Sequence, residues 1–302
     1  MRDRATNGFV APMEARTPAP LSGAPAAPAE PSDQHIVDAL IEERAEKLMS
    51  RPRLWPLVKA VFYPLLGYQK ARRVADTIAP LSGEAAMDWS VDFLDMTVEA
   101  TDVEQVPAEG PAVIVANHPG GIADGIAVWT ALKARRPDMV FFANRDALRV
   151  CPGLDAVVIP VEWRPELRSR EKTRDTLRMS IEAFKAGRCV VVFPAGRMSE
   201  WSWAKRRLVE REWLPTASSL ARKFDAPIVP LGVRQRLSLY YYALAQVSEE
   251  LKNMTVFHEL LAKKKARYRL GFGAPVHSSD LPTDDAAATL ALRDMCERLA
   301  WG

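Results

Sequence analysis

The chain has 302 residues, of which 48% are hydrophobic and 26% charged, enough to bury a full core in one large domain with an appendage. A net charge of +3 is too small to argue for a nucleic-acid partner. Cys151, Cys189 and Cys296 are widely spaced with no paired thiol motif, which excludes a disulfide framework and suits a reducing compartment. No apolar run reaches the roughly 18–20 residues that cross a bilayer. The N-terminus lacks the apolar core of a signal peptide.

Residues 1–34 are rich in Ala and Pro, a composition that reads as a disordered tail. Residues 35–94 read as an N-terminal helical segment. Within it, Ile36, Leu40, Ile41, Ala45 and Leu48 mark a helix over 35–50, capped by Ser32 or Asp33. The stretch 51–73 carries Trp55, Leu57, Val58, Val61, Phe62 and Leu65 among Arg51, Arg53, Lys59, Lys70, Arg72 and Arg73, without one acid. Apolar and aromatic groups interleaved with cations suit the surface of an anionic membrane. A helical hairpin packed on the domain is the alternative, and Pro56 and Pro64 limit the stretch to short helices. A further helix is expected over 84–95 and an edge strand over 97–104.

The central stretch begins with the β-forming run 112–116 and continues as Asn117-His118-Pro119-Gly120-Gly121-Ile122-Ala123-Asp124-Gly125. Pro119, Gly120 and Gly121 make a tight loop, and helical spacing resumes from Asp124 through Ile126, Val128, Trp129 and Leu132. His118 therefore sits at a strand tip and Asp124 at a helix N-terminus, where it can serve as an N-cap. The same carboxylate can hold one ring nitrogen of His118 and leave the other free as a general base.

Further strands are expected at 140–143, 156–160, 188–193, 227–231 and 267–272, with helices over 170–186, 213–224 and 285–300. This alternation across residues 95–302 predicts an α/β domain with a mostly parallel sheet flanked by helices. Trp201, Trp203 and Trp213 with Lys205, Arg206 and Arg207 border either an acyl channel, a membrane or only solvent. Lys263, Lys264, Lys265 and Arg267 form either a site for an acidic carrier or a solvated helix end. His258 lacks a second histidine at Ala262 and is not expected to bind metal.

Three stretches follow putative strands: Phe142-Ala143-Asn144-Arg145-Asp146, Phe193-Pro194-Ala195-Gly196-Arg197-Met198-Ser199 and Ala226-Pro227-Ile228-Val229-Pro230-Leu231-Gly232. Together with the His–Asp stretch they resemble, in order over roughly residues 95–275, the four sequence blocks of the glycerolipid acyltransferases. Three departures stand out. Five residues separate His118 from Asp124 where the common pattern has four, Ala195 replaces the usual Glu, and the second block ends at Val161-Glu162 without its Arg. The five-residue spacing resembles a bacterial subgroup that includes ornithine-lipid acyltransferases.

The resemblance implies an O-acyltransferase that moves a fatty acyl group from an acyl carrier protein or coenzyme A thioester to a lysolipid hydroxyl. No metal or other cofactor is implied, and the expected location is the cytoplasmic face of the inner membrane, held peripherally through 51–73. His118 and Asp124 are the implied catalytic pair. Asn117, Gly120, Gly121, Arg145, Phe193, Pro194, Gly196, Arg197, Ser199 and Pro230 are the implied substrate-binding residues, with Gly120, Gly121 or Gly196 offering N–H groups to an oxyanion. Lysophosphatidic acid is the first acceptor, its phosphate near Arg145 and Arg197; lyso-ornithine lipid is the second. A lipid-binding protein that lost turnover and a lipid hydrolase remain as other classes. The hydrolase lacks a G-x-S-x-G elbow.

Overall fold

The structure is a computed structural model and describes residues 34–162 and 164–302. The disordered-tail expectation for 1–34 thus falls outside the described residues, Gln34 apart. Seven strands form one sheet: β1 (Thr97–Thr101), β2 (Ala112–Ala116), β3 (Val140–Asn144), β4 (Val158–Val161), β5 (Cys189–Val192), β8 (Ile228–Arg234) and β9 (Arg267–Phe272). A separate antiparallel hairpin, β6 (Glu200–Ser202) and β7 (Arg207–Val209), stands between β5 and β8 in the chain. The sheet order is β4-β3-β5-β2-β8-β9-β1. The first five are parallel; β9 runs against β8, and β1 runs with β9. The expected α/β architecture is therefore present, with one reversed pair of strands at an edge.

β2 lies at the centre because it is apolar on both faces. Ala112, Ile114 and Ala116 join one core, under helix Ile122–Leu132. Val113 and Val115 join the other, under helices Arg170–Lys185, Thr216–Phe224 and Asp285–Trp301. All five β2 residues are buried, as an interior parallel strand requires. His118 follows one residue past the strand, after Asn117, so it stands at the C-terminal edge of the middle strand. The reversal of β9 brings the start of that strand, Arg267 and Tyr268, to the same edge.

The N-terminal segment packs as helices Ile36–Glu42, Glu46–Met49, Trp55–Leu65 and Tyr68–Ile78. These bury Val37, Ile41, Val58, Tyr63, Leu66 and Ala75 against Met254, Leu251 and Phe257. The single helix expected over 35–50 is two helices, broken at Ala45, itself buried. Beside the break, Arg44 reaches Asp146 at 2.7 Å, at the end of β3. Burial raises the Asp146 carboxyl, but Arg44 and Arg149 outweigh it and hold it below its ordinary range. The stretch around Trp55–Leu65 is one helix despite its prolines. Pro56 lies in the first turn, where the N–H needs no partner, and Pro64 lies in the last turn.

Candidate active site

His118 leaves β2 and turns sharply over Pro119, Gly120 and Gly121. Its Nδ1 lies 3.0 Å from Asp124 Oδ2, with the His side chain 18% exposed and the Asp side chain fully enclosed. The same oxygen accepts the Gly120 N–H at 2.8 Å. Asp124 is not the N-cap. Helix Ile122–Leu132 starts two residues earlier, capped by Gly121 at φ 74°, and Asp124 occupies its first turn. The carboxylate still meets the positive end of the helix, but its oxygens point back into the loop instead of closing the helix. A carboxylate can only accept, so His118 Nδ1 carries the proton and Nε2 is left unprotonated in the neutral ring.

Gly120 has no room for a side chain. A Cβ there would collide with Asp124 Oδ1 and with the Tyr268 hydroxyl. Oδ1 and the Tyr268 oxygen face this point from a helix and a strand, and neither makes a hydrogen bond of regular geometry. Burial and the Asp124 charge push the Tyr268 hydroxyl well above its ordinary pKa, so it stays a neutral donor beside the carboxylate. The alternation of β9 exposes Arg267 and Arg269 and buries Tyr268 and Leu270. That pattern pointed Tyr268 inward from sequence, and a buried hydroxyl requires a polar neighbour.

A second carboxylate holds the other side of His118. Glu210, just after β7, accepts the His118 backbone N–H, the Ser199 hydroxyl at 3.0 Å and the Trp213 indole N–H at 2.6 Å. Ser199 N–H in turn donates to the His118 carbonyl at 3.1 Å. Burial pushes the Glu210 carboxyl above the ordinary range, against bonds from His118, Trp213 and Ser199 that favour the ionised form. Sequence could not single it out, because Glu210 and the exposed Glu212 sit in one charged run. The third block lost its Glu at Ala195, and the following hairpin returns a carboxylate to the same loop.

The other sequence candidates divide. The Phe193 ring stacks obliquely on the His118 ring, centroids 4.4 Å apart. Ser199 is buried and serves Glu210. Asn117 clamps two strands together: its amide takes the Val233 N–H at 2.7 Å and donates to the Val233 carbonyl at 2.8 Å. Pro230 is buried within β8, with its carbonyl taken by Gly273 N–H, so it lies in the core and not at the site. Pro194 is buried and its carbonyl accepts from Leu214. The Gly120 N–H is committed to Asp124 and the Gly196 N–H to the Phe193 carbonyl at 3.0 Å, so of the three only the Gly121 N–H is not engaged in this way.

Arg197 pairs with Glu249 at 3.0 Å. Arg145 begins helix Asp146–Val150, with Nε and Nη2 enclosed and unbonded; neither arginine lines the cavity described next.

That cavity, of about 990 Å³, is bordered by Asn117, Ser199 and Glu210, the residues that surround His118. Its walls include Trp201, Trp203, Leu239, Tyr242 and Trp301, with Arg207, Arg234 and Arg236 as cations. Two of the tryptophans singled out in sequence therefore face the cavity, while Trp213 is buried on Glu210. Lys263, read as part of an exposed cationic run, is 4% exposed and turned inward.

A histidine at a strand tip, paired with a buried carboxylate, thus stands beside a large, mainly apolar cleft. Residues 97–234 match the family model described as Acyltransferase. The lyso-glycine lipid O-acyltransferase of Phocaeicola vulgatus is 27% identical over 196 residues, covering 63% of this chain and 68% of that protein. The protein of the same name from Bacteroides thetaiotaomicron is 26% identical over 196 residues, covering 63% and 70%. The crystal structure of the 1-acyl-sn-glycerophosphate (LPA) acyltransferase PlsC from Thermotoga maritima aligns with a TM-score of 0.45 at 16% identity, covering 85% of this chain and 95% of that one. The chain is a transferase enzyme. Residues 97–234 form an acyltransferase domain, similar to those of the glycerolipid acyltransferases.

Replacing Glu210 tests the second clamp. The amide of Glu210→Gln has one accepting oxygen and cannot serve all three donors, so one buried donor faces the amide NH2 and the clamp on His118 loosens. We expect kcat to fall by about tenfold to a hundredfold with KM little changed, the size of effect that misplacing a catalytic group produces. Steady-state kinetics checks this, and an unchanged kcat would contradict it.

Proposed function

We propose that the chain transfers a fatty acyl group from a thioester to the free hydroxyl of a lysolipid, with His118 as general base. The observation that carries this reading is the His118–Asp124 pair set beside the aromatic cavity. His118 Nε2 takes the hydroxyl proton as the oxygen attacks the thioester carbonyl. Asp124 holds the ring and stabilises the imidazolium that forms. The Gly121 N–H, at the start of helix Ile122–Leu132, faces the developing oxyanion. The C–S bond then breaks, and the imidazolium returns its proton to the thiolate. No residue of the chain needs to be acylated.

Among acceptors, the reading favoured here is a lysolipid whose amino-acid headgroup presents a carboxylate. Both relatives named above are lyso-glycine lipid O-acyltransferases, and Arg197, the phosphate ligand suggested by the sequence, already has Glu249 as partner. Lysophosphatidic acid, first in the sequence reading, is the second candidate. The donor is an acyl carrier protein or coenzyme A thioester.

The assay incubates purified protein with palmitoyl-CoA or palmitoyl-acyl carrier protein and either N-(3-hydroxypalmitoyl)glycine or lysophosphatidic acid. Faster acylation of the glycine lysolipid supports the reading, and exclusive use of lysophosphatidic acid replaces it with the second. His118→Ala should lower kcat by about a thousandfold or more, comparable to losing the base of a catalytic triad. Release of free fatty acid without transfer would indicate a hydrolase, and no reaction at all a binding protein.

The same reading places the enzyme at a membrane surface, where its substrates are found. No helix among the described residues is long and apolar enough to cross a membrane. On helix Trp55–Leu65, however, Leu57, Val61 and Leu65 are 61%, 48% and 59% exposed and lie four residues apart on one face. Trp55 and Phe62, counted with them from sequence, pack inward instead. Arg51, Arg53 and Lys70 are exposed nearby in sequence, so the stripe combines apolar and cationic groups. Changing Leu57, Val61 and Leu65 together to Ser should abolish sedimentation with phosphatidylglycerol liposomes while leaving the unfolding midpoint near wild type. Undiminished sedimentation would contradict this contact.

A further inference from the structure

Three consecutive polar residues of the cavity beside His118, Arg234-Gln235-Arg236, lie at the end of β8. Asn117, the residue before His118, fixes the start of this loop through both backbone groups of Val233. The loop is also held from behind. Buried Lys263 donates to the Arg236 carbonyl. The Arg236 N–H donates to Gln235 Oε1 at 2.8 Å, and Gln235 Nε2 donates to the Arg267 carbonyl at 2.9 Å. Beyond it, Leu237 N–H donates to the Tyr242 hydroxyl at 3.0 Å, and Ser238 N–H to Glu259 at 2.8 Å. A loop fixed at this many points presents its side chains with little further ordering on binding.

Its charges are the unbalanced ones of the region. Arg207 pairs with Glu297 at 3.1 Å, Arg197 with Glu249 at 3.0 Å and Arg211 with Glu200 at 3.0 Å. Among the described residues, the Arg234 and Arg236 side chains have no carboxylate within ion-pair distance, although both border the cavity. Arg234 lies over the Trp301 ring, 5.7 Å from its centroid, which orients the guanidinium without neutralising it. Lys263 adds a third cation behind the loop. Burial pushes its ammonium down, while the charges of Glu259 and Asp124 oppose that fall. Cations on one wall and Trp201, Trp203 and Tyr242 on the others match an anionic amphiphile.

We propose that Arg234 and Arg236 form an oxyanion subsite of the cavity, which takes the carboxylate or phosphate of a substrate whose chain lies against the aromatic wall. This rests on the acyl-transfer reading for which substrate brings the oxyanion. Two sources carry that chemistry, the acceptor headgroup and the phosphates of coenzyme A.

Trp201, Trp203 and Trp301 border the cavity, so their fluorescence reports its occupancy. N-palmitoylglycine has a carboxylate but no hydroxyl to acylate. Its methyl ester is the uncharged control, and coenzyme A is the donor probe. The variant is Arg234→Gln with Arg236→Gln, both at exposed positions outside the core. We expect the variant to bind N-palmitoylglycine about tenfold or more weakly, as loss of charge-assisted hydrogen bonds implies, with the methyl ester unaffected. A loss confined to coenzyme A also supports the subsite and assigns it to the donor. Unchanged affinity for both anions, or an equal loss for the ester, overturns it. These titrations need no turnover. A wild type that binds N-palmitoylglycine through the arginine pair yet transfers no acyl group would contradict the catalytic reading alone.

Discussion

The site depends on one buried carboxylate. Asp124 is fully enclosed, and an unpaired charge there would carry a desolvation penalty of several kcal/mol. The surrounding geometry answers that penalty. The Gly120 N–H and His118 Nδ1 both converge on Oδ2, and the helix N-terminus adds its positive field. To bring these donors in, the chain must turn within three residues of the strand tip. Gly121 at positive φ permits the turn, and Gly120 leaves the space that a Cβ would close. Tyr268 completes the enclosure from β9, and it can do so only because that strand runs opposite to its neighbour β8. The five residues between His118 and Asp124 are thus accommodated by starting the helix at Ile122 and turning Asp124 back toward the loop.

A second carboxylate plays a complementary part. Asp124 sets the ring of His118, while Glu210 sets its backbone and ties the strand tip to the third block through Ser199. Their environments differ in a useful way. Asp124 faces the His118 ring and the helix end. Glu210 is surrounded by the hydroxyl, indole and amide groups that it accepts from. The substitution of Ala for Glu at position 195 therefore leaves the loop with a carboxylate, supplied from the neighbouring hairpin. That hairpin also carries Trp201 and Trp203 to the cavity wall, so the element that holds His118 also shapes the adjoining cleft.

Much of this was legible in the sequence where the signal is local. The apolar run 112–116, the Pro119-Gly120-Gly121 break and the helical spacing after it identified a strand, a turn and a helix, and so brought His118 and Asp124 together. β9 was read with the bounds the structure shows, because its alternation is clean. What failed was set by distant partners. The helix start at Ile122 follows from bonds made by Gly121 and Asp124, not from propensity. Pro230 sits in the fourth block by resemblance, yet it lies in the core of the sheet. The hairpin 200–209 was missed because its strands are three residues each, too short to show an alternation. Arg234 and Arg236 were missed because only tertiary structure shows which arginines already have acids. Lys263 looked like its neighbours Lys264 and Lys265, but packing buried that one alone among the three.

The central claim is that Asp124 fixes His118 with its proton on Nδ1 and leaves Nε2 able to accept one. Nitrogen-15 NMR of histidine-labelled protein, with His118 assigned by its absence in His118→Ala, reads this directly at a pH where the ring is neutral. The account predicts a protonated, pyrrole-type Nδ1 and an unprotonated, pyridine-type Nε2, with the preference weakened in Asp124→Asn. A His118 ring that carries its proton on Nε2 in the wild type would contradict it.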